Sequence, residues 1–200
     1  MIKKLLKVVF LFAFINTLHA QQISDSDVKK SNPIIYAEMF GGFSAIKNFG
    51  IAGGVELNYQ YKKSLFSFRF TDITGYKKEE IIPIFPVPLY SKTEYIQEYA
   101  VLYGVRWVKS SHSYSLSTGI SYNKLELEIR DSEGNRYDTY RNFYGVPIEA
   151  NFKWFYPKRR DKIIFNALIP SVGLKIFGNI AQQSFVGAAI SVGFGWSKQY

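Results

Sequence analysis

The sequence predicts an all-β chain, an eight-stranded antiparallel transmembrane up-and-down β-barrel, and three observations carry that prediction. Phe49 to Tyr61 reads FGIAGGVELNYQY, with odd positions apolar or aromatic apart from Gly53 and even positions small, polar or charged. A strand turns alternate side chains to opposite faces, so this segment has one apolar face and one bearing Glu56, Asn58 and Gln60. Its length suits a tilted strand, which needs about 9 to 11 residues to cross a bilayer. Aromatic residues make up 18% of the chain, and every later apolar stretch is broken by charges or turn residues before it could form a spanning helix. The N-terminus has the layout of an exported protein.

That layout is Lys3, Lys4 and Lys7, an apolar run from Val8 to Ile15, and Ala20 before Gln21 and Gln22. It predicts a signal peptide over 1–20, cleaved near Ala20. The rival, a retained anchor helix, needs roughly 20 apolar residues, and the run is far shorter. The absence of cysteine excludes a lipoprotein and any disulfide. The expected organisation is a signal peptide over 1–20, a polar periplasmic tail over 21–33 and a barrel over 34–200. Removing the three leader lysines lowers the formal charge from +9 to +6. An exported basic chain meets lipid headgroups and cell-wall polymers, so no nucleic-acid partner is expected.

Eight strand-like segments follow the tail: Ile34 to Ile46, Phe49 to Tyr61, Leu65 to Thr74, Tyr95 to Val108, Tyr114 to Ile129, Asn142 to Tyr156, Lys162 to Phe177 and Ser184 to Tyr200. The even connections are short, whereas Gly75 to Glu94 and Arg130 to Arg141 are long. Bacterial barrels have short periplasmic turns and longer outer loops, so both termini belong in the periplasm. The aromatic residues agree with this. Trp107, Trp154 and Trp196, with Tyr61, Phe66, Tyr114 and Tyr156, stand at periplasmic ends; Phe43, Phe49, Tyr95, Tyr122, Tyr144 and Phe177 stand at the others. Two aromatic belts around an aliphatic band are what membrane interfaces select. A soluble barrel with an aromatic core is the alternative.

The sixth strand sets Tyr144, Val146, Ile148, Ala150, Phe152 and Trp154 on one face against Gly145, Pro147, Glu149, Asn151 and Lys153 on the other. The last sets Val186, Ala188, Ile190, Val192 and Phe194 against Gly187, Ala189, Ser191, Gly193 and Gly195. One face suits lipid and the other a crowded polar lumen. The inward charges are then Glu38, Glu56, Glu98 and Glu149 with Arg69, Arg106, Lys153 and Lys175. An eight-stranded barrel is just wide enough for side chains to fill, so these charges are expected to pair into a plug that replaces a core. A conducting or binding path is the rival reading. Pro147 and Pro170 lie within predicted strands without a backbone donor and are expected at bulges or strand ends.

FYGVPIEANFKWFY at Phe143 to Tyr156 and the terminal SVGFGWSKQY carry a resemblance. The chain resembles the Bacteroidetes-type outer membrane β-barrel domain family, PorT-like and similar to OmpX-like barrels in architecture. The resemblance implies the outer membrane and the barrel fold, with little mechanism. The terminal strand is similar to the aromatic signal read by the barrel-insertion machinery, with Phe194, Trp196 and Tyr200 on one face.

No pattern points to catalysis or a cofactor. A hydroxyl nucleophile needs a base near neutral pH, and His112 is the one histidine after the leader, in a predicted periplasmic turn with no acidic residue beside it in sequence. Neither a metal-ligand cluster nor a phosphate loop is present, and Gly41-Gly42 and Gly53-Gly54 lie in strands. Two features remain. The outer loop Gly75 to Glu94 holds Ile82, Pro83, Phe85, Pro86, Pro88 and Tyr90, a stiff apolar run that can dock a partner or close the mouth, or pack on the rim or lipid. The periplasmic turns hold Lys62, Lys63, Lys109, Lys158, Arg159, Arg160 and Lys162 against Asp161, a basic rim for anionic lipid or a periplasmic partner, or a solubilising turn composition. The expected function is a small, non-enzymatic outer membrane barrel with a plugged polar lumen, structural or binding an envelope protein through its outer loops. A component of an envelope transport or secretion assembly is the alternative, and a lipid-modifying enzyme a more distant one. The expected partners are outer membrane lipid, the insertion machinery and an envelope protein.

Overall fold

The computed structural model describes residues 33–78, 90–109, 111–130, 136–155 and 169–196. The expected signal peptide and nearly all of the tail lie outside them. The strands are β1 (Ile34–Ala45), β2 (Phe49–Tyr61), β3 (Ser64–Lys78), β4 (Tyr90–Val108), β5 (His112–Arg130), β6 (Arg136–Phe155), β7 (Ile169–Ile180) and β8 (Phe185–Trp196). Each pairs antiparallel with the next, and β8 returns to β1 from Ile35↔Trp196 to Ala45↔Val186, closing an eight-stranded barrel. Closure pairs the backbone with itself, as hydrocarbon requires where water cannot replace a missing hydrogen bond.

The two-residue period turns the barrel inside out relative to a soluble protein. Met39, Val55, Leu57, Phe68, Val101, Leu116, Ile120, Ile148, Leu174 and Ile190 are exposed on the outer wall, while Glu38, Glu56, Asn58, Arg69, Glu98 and Lys175 are buried. Tyr61, Phe66, Tyr103, Trp107, Tyr114 and Trp154 ring one end of the outer wall, and Phe43, Phe49 and Tyr144 the other. At the first end, β2 and β3 join through Lys62-Lys63, with Tyr61 opposite Ser64. This two-residue turn holds Lys62 at φ 55°, a left-handed conformation that matches the twist of a tight hairpin, and Gln60 Nε2 donates to the Lys62 carbonyl at 2.7 Å.

The four central strands are taller than the sequence pattern indicates. They run 15, 19, 19 and 20 residues for β3 to β6, against 12 or 13 for β1, β2, β7 and β8. The expected loop from Gly75 to Glu94 is therefore partly strand: β3 continues to Lys78, and Tyr90, expected in the loop, opens β4 opposite Lys78. Likewise β5 runs to Arg130 and β6 starts at Arg136, six residues before the expected start. Past the lipid, both faces of a sheet tolerate polar side chains, so the apolar alternation fades while the backbone pairing continues. A bulge marks the transition, since the register shifts between Gly75 and Tyr76 and leaves Thr93 as the extra residue on β4.

Two further expectations change. Phe177 is not in the outer aromatic belt: the alternation that turns Lys175 inward turns Phe177 inward as well, and it is 1% exposed. Its ring packs on Phe40 at 5.4 Å and Phe185 at 6.4 Å, in space left by Gly187, where a Cβ would lie 2.8 Å from Phe177 Cε1. Pro170 is near the start of β7, but Pro147 sits well inside β6 and at no bulge. The β5–β6 pairs skip from Thr118↔Ile148 to Ser121↔Gly145 with no change of register, and the Thr118 hydroxyl donates to the Pro147 carbonyl at 2.9 Å.

Val55 faces lipid midway along β2, so Val55→Arg is expected to cost about 2 to 4 kcal/mol. Asn58→Ser, on the lumen face, loses one side-chain hydrogen bond, worth about 1 kcal/mol. Urea titration of the barrel folded into vesicles measures both, and equal costs would contradict the lipid-facing assignment.

Candidate functional site

The chemistry of the barrel is concentrated in its lumen, where alternate residues of neighbouring strands meet across a narrow interior. Arg69 on β3 lies at the centre. Its Nη2 and Nε donate to Glu98 Oε2 of β4 at 2.8 and 3.2 Å, and its Nη1 to Glu149 Oε2 of β6 at 2.8 Å. A guanidinium matches this task because its planar fork serves two carboxylates at once. Lys175 on β7 contacts Glu56 of β2 and Glu38 of β1 and lies 3.3 Å from Glu149 Oε2. Lys153 on β6 contacts Glu38 from the other side. The set is continuous from Lys153 through Glu38, Lys175, Glu149 and Arg69 to Glu98.

Neutral groups extend it in both directions. Toward the long-strand end, Thr71 donates to Glu98 Oε2 at 3.2 Å, and Asn179 Nδ2 to Glu98 Oε1 at 2.8 Å. Asn179 Nδ2 also approaches Ser121 Oγ at 2.7 Å and Asn123 Oδ1 at 3.0 Å. Toward the Lys62-Lys63 turn, Arg106 donates to Gln60 Oε1 at 2.9 Å and to Ser113 Oγ at 3.0 and 3.2 Å. Its guanidinium lies 4.7 Å from the Tyr36 ring centroid, with Lys153 Nζ 4.5 Å from the same ring.

The lumen is not polar throughout. Above Glu98 and Asn179, Phe40, Ala52, Ile73, Ile96, Leu125, Phe143, Phe177, Phe185 and Ala189 form a buried apolar layer. The interior thus has a lower part where the charges are interspersed with Tyr36, Leu65, Leu102 and Phe155, and an upper part that is mainly apolar, where a single polar lumen is expected. Period-two counting from Glu56 reaches Ala52, and from Arg69 reaches Ile73, so the signal exists once each strand's inward parity is known.

Glu38, Glu56 and Glu149 bring carboxylate oxygens within 4.8 Å of one another, a spacing that could hold a metal ion. The Lys175 ammonium contacts all three and supplies the cation there. His112 is not a free turn residue, because it opens β5, with its ring 5.3 Å from Tyr114 and 5.9 Å from Phe152. Of the expected basic rim, Lys62, Lys63 and Lys109 are exposed at one end of the barrel, and Lys158, Arg159, Arg160 and Lys162 lie outside the described residues. Of the expected partner loop, Ile82, Pro83, Phe85, Pro86 and Pro88 lie outside them, and Tyr90 begins β4.

One inward charge is missing from the sequence reading. Glu94 is 6% exposed and lies on the lumen side of β4, so the buried acids of the described residues outnumber the buried bases by one. It falls in the expected loop from Gly75 to Glu94 because the apolar pattern of this strand starts at Tyr95. Two-residue spacing back from Glu98 through Ile96 would have placed it inward.

The solved structures that resemble the chain are small β-barrels. It is similar to the N-terminal β-barrel domain of Pseudomonas aeruginosa OprF, with a TM-score of 0.51 at 10% identity over 82% of this chain and 97% of that one. The chain is an eight-stranded transmembrane β-barrel. Neisserial surface protein A matches with a TM-score of 0.47 at 11% identity, covering 83% of this barrel and 97% of that chain. Ail, the attachment invasion locus protein of Yersinia pestis, matches with a TM-score of 0.48 at 10% identity, covering 82% and 97% respectively. No protein-family model matches the barrel, and no curated protein sequence does.

Removing one partner from a buried ion-pair set strands the others, so Lys175→Met is expected to destabilise by about 3 to 5 kcal/mol. Adding Glu56→Gln relieves one of the stranded carboxylates and restores part of the loss. Urea unfolding in detergent, read by heat-modifiable gel migration, compares the two variants; a double mutant less stable than the single would contradict the pairing.

Proposed function

We propose that the protein is a small, non-enzymatic outer membrane β-barrel whose lumen is closed by its own side chains and whose tall β3–β6 wall binds a partner outside the membrane. One observation carries this reading. Among the described residues, Arg136 to Gly145 of β6 pair with β5 alone, because β7 begins to pair only at Val146↔Ile180. A strand with one free edge offers backbone donors and acceptors to an added strand. Its exposed side chains favour the same use: Tyr137, Tyr140 and Tyr144 are 56, 73 and 75% exposed, and tyrosine is enriched at protein interfaces.

The remaining elements fit the same picture. The short Lys62-Lys63 turn faces the periplasm and the tall wall faces outward, as in bacterial barrels generally. Lys62, Lys63 and Lys109 then stand where inner-leaflet headgroups or an envelope protein can meet them. The N-terminal layout supports export with cleavage near Ala20. Phe143 to Tyr156 supports a place in the Bacteroidetes-type, PorT-like group, and the terminal aromatic strand supports handling by the insertion machinery. Against catalysis, the lumen carboxylates from Glu38 to Glu149 are held in ion pairs, and His112 is packed among aromatic rings.

Proline on the free edge tests the binding mode. Tyr140→Pro is expected to cut cross-linking to an envelope partner at least tenfold after gentle detergent extraction, with heat-modifiable migration unchanged. Undiminished cross-linking would place the contact elsewhere. Single-channel recording tests the closed lumen: the intact barrel is expected to be silent, and a steady conductance would make the charges the lining of a pore.

A further inference from the structure

Glu94 stands apart from the balanced lumen charges. Among the described residues, its Oε2 is buried with neither a hydrogen-bond nor an ion-pair partner. Burying a carboxylate is costly unless a cation or donors compensate, and every other inward acid of the described barrel has a basic partner.

Its described surroundings form an apolar corner of the mouth with few side chains. One row runs across the strands through Ser44↔Gly50, Gly50↔Gly75, Gly75↔Glu94 and Glu94↔Leu127. The two glycines leave the wall between Ser44 and Glu94 without side chains, and the Ser44 hydroxyl is likewise buried without a partner among the described residues. The carboxylate leans over β3: a Cβ built on Gly75 would lie 3.4 Å from Glu94 Cβ, 3.6 Å from its Oε2 and 3.7 Å from Ile46 Cδ1. Ile46 and Leu127 are only partly buried and pack on the apolar layer beneath. Among the described residues, an acid group thus sits beside partly buried aliphatic side chains, above an apolar floor and toward the tall-wall end of the barrel.

We propose that Glu94 anchors a binding site at this mouth for an alkylammonium group. The ammonium is a compact charge with donors for Glu94 Oε2, and its aliphatic stem suits Ile46 and Leu127. Free amines and lysine side chains of peptides both present this group. The site goes beyond the β6 edge and does not rely on it, since it is read on the isolated barrel.

The test uses the full chain in detergent micelles, with the methyl groups of Ile46 and Leu127 followed by NMR. n-Butylammonium and a one-lysine peptide are the probes; n-butanol and the same peptide acetylated on its lysine are the neutral controls. Saturable methyl shifts with n-butylammonium, absent with n-butanol and at least tenfold weaker in Glu94→Gln, are the expected result. Peptide binding that is lost on acetylation assigns the group to lysine; an inert peptide beside an active amine assigns it to a free amine. No saturable shift with either cationic probe, or equal shifts in Glu94→Gln, overturns the site. Thermal unfolding gives an independent reading. Glu94→Gln is expected to melt no lower than the wild type, because it removes an unpartnered charge, and a lower midpoint would mean that the chain itself supplies the cation.

Discussion

The ion pairs that converge on Arg69 and Lys175 are the interaction on which the barrel depends. A transmembrane barrel spends its apolar side chains on lipid, so the burial that stabilises a soluble domain is directed outward. What fills the lumen must then be satisfied by pairing, because an isolated charge in so narrow a space carries a large desolvation cost. Strands β1, β2, β3, β4, β6 and β7 each contribute a charged group, and β5 and β8 contribute small residues such as Ser113, Ser117, Gly187, Ser191 and Gly193. The division is steric as much as electrostatic. Long side chains need facing walls short enough to admit them.

The lumen is a layered interior. Charges occupy the part nearer the Lys62-Lys63 turn, and the Phe40, Phe177 and Phe185 rings close the part nearer the tall wall. Arg69 and Lys175 bridge the layers, with the guanidinium 5.7 Å from the Phe177 ring centroid and the ammonium 4.5 Å from that of Phe40. Aromatic faces are the apolar surfaces that tolerate a cation, so the boundary carries little penalty. Glu94 lies beyond this boundary, separated from Arg69 and Lys175 by the apolar layer.

Fold, strand parity and the inward charges from Glu38 to Lys175 were legible in the sequence because lipid imposes a strict period-two pattern within the band it covers. Val55 and Glu56 can be assigned to faces with no structure at all. The pattern lapses where lipid ends. The extra lengths of β3 to β6 and the Thr93 bulge were out of reach because water accepts polar residues on both faces there, whereas Glu94 was passed over only because the apolar pattern starts after it. Phe177 fails for another reason: an aromatic residue near a strand end suits both a belt and a lumen, and only its parity with Lys175 separates them. Which charges meet was also hidden, since Glu38 and Lys175 are brought together by barrel closure and not by sequence spacing.

Glu38 ties the first strand to β6 and β7 through Lys153 and Lys175. These contacts span most of the chain, and they form only when the sheet has curled far enough to bring β1 beside β8. A partly assembled sheet leaves Glu38 and Lys175 exposed to water or, worse, to acyl chains. Intermediates that enter the bilayer before the seam is zipped are therefore penalised, and assembly becomes close to all-or-none. The side chains that stand in for a core also act as a checkpoint on the order in which the protein folds and inserts.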